Sequence, residues 1–295
     1  MNKNLLTPTL INQLDNLYLK ARYVVEGYII GMHKSPFHGF SVEFSEHKPY
    51  NKGDDLKYLD WKVLGKSDKY YIKEFEEESN LKSYILLDIS NSMNFGLKEF
   101  NKLQYAKLVA ASLSYLLINQ NDSVGLILFD SKIKTILHPT SKKSHLKNII
   151  EVIQNAKSEG ETNISQILHQ SAEQIKKKGI IILISDLFDS QDGIMEGLNH
   201  LKYKGQEIIV IQILHNQEIE LDYYNNTKFI DLETKQDIIT EPEYIKDDYK
   251  KGISDFIDSY KKELGRNKID YTVINTSMNL DITLNEFLSK RSKIM

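Results

Sequence analysis

No cysteine occurs among the 295 residues, which excludes disulfides, thiolate metal sites and cysteine nucleophiles together. Any metal must be held by oxygen or imidazole ligands. Arginine is also scarce: Arg22, Arg266 and Arg291 are the three, and lysine carries the remaining positive charge. This lysine-rich composition, with its many Asn and Ile residues, looks like a genome-wide bias and indicates no function. Lys and Arg total 38 against 41 Asp and Glu, a net charge of −3, so nothing draws the chain toward nucleic acid. No apolar run reaches the roughly 18 to 20 residues that span a bilayer. Met1 to Leu10 lacks the charged start and long apolar centre of a signal peptide. The expectation is a cytoplasmic protein with no membrane partner. A phosphate-binding G-x-x-x-x-G-K-[ST] loop is missing, as is a G-x-S-x-G nucleophile elbow. ATP hydrolysis would have to come from a partner.

What is present divides into two parts. Thr7-Pro8 is a good helix start, and Leu10, Leu14, Leu17, Ala21 and Val24 recur at helical spacing over about six turns. From Gly31 to Ser79 short alternating runs, Phe40 to Phe44 and Tyr70 to Phe75, read as strands split by the Gly53-Asp54-Asp55 turn. Residues 1–80 are therefore expected to form a small α+β appendage. Residues 81–295 read differently. Four apolar runs, Tyr84 to Leu87, Val124 to Phe129, Ile180 to Ile184 and Ile208 to Leu214, have the character of buried parallel strands. Ile269 to Ile274 is a half-polar fifth. Helical segments lie between them, one marked by Leu103, Ala106, Ala110, Leu113 and Leu117, another by Ile164, Ile167, Leu168, Ala172 and Ile175. Parallel neighbours need crossovers of this length, so the expected fold is α/β, a doubly wound, mainly parallel, Rossmann-like sheet. Residues 219–239 suggest a hairpin insertion around Glu233-Thr234-Lys235-Gln236, followed by a polar helix near Tyr244 to Leu264 and a short helix at Thr283 to Lys290.

In such a sheet ligands bind beyond the C-terminal ends of the strands. After the first strand comes Asp88-Ile89-Ser90-Asn91-Ser92, whose alternate residues carry short oxygen-bearing side chains. Asp186 follows the third apolar run, and Thr162 precedes a helix between them. Any one of these is an ordinary turn or cap residue. Two carboxylates and three hydroxyls, in order on three loops of one sheet, make a set of hard oxygen donors. Such a set suits Mg²⁺ or Mn²⁺ better than zinc. Its low negative charge leaves room for one more carboxylate, which an Asp or Glu of a protein partner could supply.

Asp88, Ser90, Ser92, Thr162 and Asp186 resemble the metal-ion-dependent adhesion site of von Willebrand factor A domains. The resemblance implies Ser90, Ser92 and Thr162 as direct or switchable ligands, with Asp88 and Asp186 binding directly or through water. Upstream, Gly31 to Ser35, Gly39 to Phe44 and Tyr50 to Trp61, with its Gly53-Asp54-Asp55 and Asp60-Trp61, resemble the bacterial "domain of unknown function 58" family. Phe229 to Thr234 is similar to that family's Asp-x-Glu-Thr signature, and the likeness covers roughly residues 10 to 291. Lys48, Lys57 and Lys66 stand where the family usually has Arg, and the two are not equivalent at bidentate sites. Membership implies a von Willebrand factor A-like fold. It also implies partnership with a MoxR-type AAA+ ATPase in assembling or maturing other proteins. The function expected is a non-enzymatic, divalent-metal-dependent interaction adaptor.

The main rival is a metal-dependent phosphohydrolase. Asp88 after a buried strand resembles the nucleophile loop of haloacid dehalogenase-like phosphatases, but these want a second Asp two residues on, and Ser90 stands there. His33, His38 and His47 fit no zinc spacing and are read as surface or hydrogen-bonded residues. Trp61 is read as a core anchor and the Glu74 to Glu78 run as a solvated edge. Lys176-Lys177-Lys178 before Gly179 is read as a basic helix end closed by glycine.

Overall fold

The computed structural model describes residues 16–32, 47–49, 71–73, 82–97 and 101–278, and the chain divides into two units, 33–80 and the remainder. The expected strand at Phe40 to Phe44, the Gly53 to Trp61 string, the Glu74 to Glu78 run and the C-terminal helix lie outside the described residues. In the smaller unit β1 (His47–Pro49) pairs antiparallel with β2 (Tyr71–Lys73), His47 facing Lys73.

The larger unit is built on the runs singled out for their apolar character. They form β3 (Lys82–Asp88), β4 (Ser123–Phe129), β6 (Ile180–Ser185), β7 (Glu207–Leu214) and β10 (Asp270–Asn275). With β5 (Ile133–Thr140) they make a six-stranded sheet in the order β10-β7-β6-β3-β4-β5. Every pairing is parallel except β4 with β5. This is the doubly wound α/β fold expected, with one antiparallel edge. Successive side chains of a strand face opposite sides, and both sides are apolar. Ile85, Leu87, Ile182 and Ile184 face α1 (Leu17–Met32), α2 (Lys102–Asn119) and α3 (Lys143–Asn155). Leu86, Ile181, Leu183 and Val210 face α4 (Ile164–Gln174), α5 (Gln191–Tyr203) and α7 (Pro242–Arg266). Each fully buried aliphatic side chain contributes about 1.5–3 kcal/mol, which is why these runs carry almost no polar residues.

Three features differ from the sequence reading or are missing from it. Helix α1 belongs with the sheet unit and not with residues 33–80, since Ala21 and Val24 are fully buried against α2 and Tyr18 meets Tyr115 edge-on. The edge strand β5, with Lys132 beside it and His138 and Pro139 within it, is half-exposed and has no apolar run to announce it. Gly179 does not close a helix. Helix α4 ends at Gln174, and a Cβ on Gly179 would lie 2.0 Å from the Lys82 carbonyl oxygen, so glycine is required where β6 enters beside β3.

The insertion is the expected hairpin, β8 (Thr227–Ile230) and β9 (Asp237–Thr240), reached from β7 through the short α6 (Asn216–Glu220). Among the described residues no helix is long and apolar enough to cross a membrane.

Candidate functional site

The connection leaving β3 runs to α2 on one face, and the connection leaving β6, its neighbour, runs to α5 on the other. Diverging connections open a crevice at the C-terminal ends of those two strands. Asp88 closes β3 and Asp186 follows β6, so the topology delivers both carboxylates to it.

Each loop at the crevice runs into a capped helix. The β3 loop passes through a short 3-10 turn (Asn91–Asn94) to Asn101, whose side chain accepts from the Gln104 N–H at 2.8 Å. Asn163, next to Thr162, accepts from the Gln166 N–H at 3.0 Å and starts α4. The β6 loop ends at Ser190, which caps α5. Main-chain bonds tie the first two loops together, from Asn91 N–H to Gly160 and from Glu159 N–H to Ile89, both 3.0 Å. Gly160 takes a φ of +72°, open to glycine, in a place where a Cβ would touch Asp130. Leu187 adopts a φ of +61° despite its side chain, a strained conformation beside Asp186. Ser185 Oγ and Tyr260 Oη hold it by accepting from its N–H and donating to its carbonyl, respectively.

Within this frame Asp88 is fully buried. Its Oδ1 accepts from the Ser90 N–H at 2.9 Å and its Oδ2 from Ser185 Oγ at 2.6 Å. Burial, and next the charge of Asp186, push its carboxyl up to about 7. Ser90 and Ser92 hydroxyls lie 3.0 Å apart. Thr162 Oγ1 is a buried oxygen with no hydrogen-bond partner. Asp186 is fully buried, and its Oδ2 accepts from Lys102 Nζ at 2.7 Å. Asp88 is thus linked to Ser90, Ser90 to Ser92, and the charge of Asp186 acts on Asp88.

Four further participants stand outside the five singled out in the sequence. Lys102, the first residue of α2, is itself fully buried and also donates to Glu218 Oε1 at 2.7 Å. Desolvation works against its charge, but Asp186 and Glu218 outweigh it and raise its pKa. Its ammonium lies 4.9 Å from the Phe188 ring centre, a further favourable contact. Glu218 completes a reciprocal cap with His215 at the start of α6, and burial raises its pKa. Ser185 orients Asp88. Glu233, in the hairpin turn, accepts from the Thr162 N–H at 3.1 Å through Oε2 and from the Ser92 N–H at 3.4 Å through Oε1. Glu233 was legible as part of the Asp-x-Glu-Thr string. Lys102 had no signal beyond standing just after a helix cap.

Among the described residues no three His, Asp or Glu side chains cluster as a metal site. The side chains of His33, His38 and His47 lie outside the described residues.

The family described as "Protein of unknown function DUF58" matches residues 46–255. An uncharacterized protein of Mycobacterium tuberculosis, Rv1480, is 21% identical over 217 residues, 72% of this chain and 68% of its own length. The conserved hypothetical protein BatB from Bacteroides thetaiotaomicron is 20% identical, with a TM-score of 0.47 over 72% of this chain and 99% of that one. An aerotolerance-related membrane protein from Bacteroides fragilis is also 20% identical, with a TM-score of 0.46 over 71% and 99%.

Proposed function

The chain belongs to the DUF58 family, and from that premise we propose that it is a non-enzymatic interaction module that holds Mg²⁺ or Mn²⁺ in the crevice between β3 and β6. Ser90, Ser92 and Thr162 would hold the ion through their hydroxyls, and Asp88 and Asp186 through their carboxylates, directly or through water. The observation that carries this reading is the buried, unbonded Thr162 Oγ1, set where carboxylates outnumber cations among the described residues. Glu233 accepts from the Thr162 N–H, the charge of Asp186 acts on both Asp88 and Glu233, and Lys102 is the cation bonded to Asp186 and Glu218. A small divalent ion with a taste for oxygen would satisfy both deficits. Once bound, it would accept a lone pair from a carboxylate oxygen of a protein partner.

This chain's own residues have the narrower task of building the crevice. Ser185 and the Ser90 N–H fix the rotamer of Asp88. Lys102 orients Asp186, and Gln212 Nε2 fixes the same residue's main chain through its carbonyl at 2.8 Å. We include in the proposal that the partner is a MoxR-type AAA+ ATPase or its client, and that the protein acts in the cytoplasm. Phosphoryl transfer is less well supported, because an acid would be needed two residues beyond Asp88, where Ser90 is bonded to Ser92.

The test is binding of a purified, nucleotide-free MoxR-type ATPase to wild type and to Asp88→Ala, in Mg²⁺ and in chelator. Binding only by wild type in Mg²⁺ supports the adaptor. Equal binding by both proteins in chelator contradicts it. Release of phosphate from an aryl phosphate, lost in Asp88→Asn, would favour the enzymatic alternative.

A further inference from the structure

The crevice lacks one carboxylate if a partner is to supply the last ligand, yet the chain places one of its own there. Glu233 is the third residue of the turn joining β8 to β9. The turn is built to present it. Asp231 Oδ1 accepts from the Glu233 N–H at 2.9 Å and from the Thr234 N–H at 2.6 Å. Asp231 also receives the main-chain N–H of Lys235 and donates its own to Gln236, while Lys235 takes a φ of +61° to turn the chain. Such a side chain–backbone turn holds the intervening residue in one place. The Asp231-x-Glu233-Thr234 spacing thus has a mechanical reading, with Asp231 shaping the turn and Glu233 projecting from it.

Where it projects is specific. Its two oxygens accept from the main-chain N–H groups of Ser92 and Thr162, residues 141 and 71 positions away, on the two loops that carry the hydroxyls. It also faces the hydroxyl of Ser92. A carboxylate oxygen has lone pairs to spare after one hydrogen bond, so Glu233 keeps acceptor capacity toward the crevice. Beyond Phe229, whose ring meets Tyr223 edge-on at 5.3 Å, the hairpin's large apolar side chains are exposed. Ile230, Ile238 and Ile239 are each more than half exposed, and Tyr224, just before β8, is exposed too.

We propose that Glu233 is the site's internal carboxylate: it contributes to holding the divalent ion, ties the hairpin over the crevice, and must be displaced before a partner's acidic side chain can enter. This rests on the metal-binding reading above. The hairpin then works as a cover whose attachment depends on the ion, and the partner is one whose carboxylate competes with Glu233 for the same place.

Two measurements on the full chain test this, with Mn²⁺ alone as the probe. The first is the Mn²⁺ affinity of wild type, Glu233→Gln and Asp88→Ala by calorimetry. The second is amide hydrogen exchange across residues 227–240 with and without Mn²⁺. The expected result is that Glu233→Gln weakens Mn²⁺ binding by about tenfold or more, the effect of removing a group that holds or supports a metal. Mn²⁺ should also slow exchange in the wild-type hairpin but not in Glu233→Gln. Equal affinities with unchanged hairpin exchange, in a wild type that binds Mn²⁺ saturably and an Asp88→Ala that does not, overturn the proposal and leave the metal site standing. No saturable binding by wild type removes the metal site and this proposal with it. The exposed position of the turn makes Glu233→Gln a poor candidate for unfolding, and its exchange outside 227–240 serves as the check.

Discussion

Asp88 and Lys102 show how differently two buried charges can be supported. Lys102 has two carboxylates at 2.7 Å and keeps its charge despite complete burial. Removing one partner from such a group strands the others, which typically costs about 3–5 kcal/mol. Lys102→Met should therefore lower the unfolding free energy by that order in a denaturant titration, and a loss under 1 kcal/mol would mean that the network is weak. Asp88 accepts from Ser185 and Ser90 but no cation among the described residues is bonded to it, and burial with the charge of Asp186 pushes its carboxyl up to about 7. Asp88→Ala leaves the Ser185 hydroxyl and the Ser90 N–H without their acceptor, at about 1–3 kcal/mol. Asp88→Asn keeps an acceptor oxygen and removes the charge, so in chelator it should be the more stable of the two. The reverse order in denaturant melts would indicate that the charge of Asp88 is compensated from elsewhere.

At the scale of elements, close approach matters as much as capping. Gly179 sits where β6 passes the Lys82 carbonyl, and Gly179→Ala forces one of those strands to move. Overpacking of this kind costs about 1–3 kcal/mol, readable as a fall in the denaturation midpoint; an unchanged midpoint would show that the strand ends yield freely. The exposed hairpin is the opposite case. Ile238→Ser and Ile239→Ser should alter stability by less than about 0.5 kcal/mol, and a larger loss would mean that this face is covered in solution.

The same contrast explains what could be read in the sequence. Strands β3, β4, β6 and β7 are buried on both faces, so their apolar runs stand out without any alternation. The half-exposed β5 gives no such signal. Asp88 and Asp186 were legible as neighbours because topology alone brings the ends of β3 and β6 together, whereas Thr162, between α3 and α4, has no strand end to place it. Lys102 and Glu218 were not legible, since their meeting depends on α2 and α6 converging from positions 116 residues apart. An apolar stripe shows that helix α1 is buried without showing against what, so its packing with the sheet unit is not legible in the sequence.

For the whole molecule, a ligand that binds only the folded state adds stability in proportion to its occupancy. At a hundredfold excess over its Kd the gain is about 2.7 kcal/mol, which for a domain of this size raises the melting temperature by about 5–10 °C. Mg²⁺ should produce a shift of this order in wild type, chelator should reverse it, and Asp88→Ala should show none. An identical shift in both proteins would place the ion elsewhere.

The most direct measurement is calorimetric titration of Mg²⁺ and Mn²⁺ into the full chain and into Asp88→Ala. Saturable binding near one ion per chain in wild type, absent from Asp88→Ala, is the result expected if the crevice between β3 and β6 holds a divalent cation. Binding that survives Asp88→Ala, or none in wild type, would contradict it and leave these residues as structural parts of the loops after β3 and β6 and before α4.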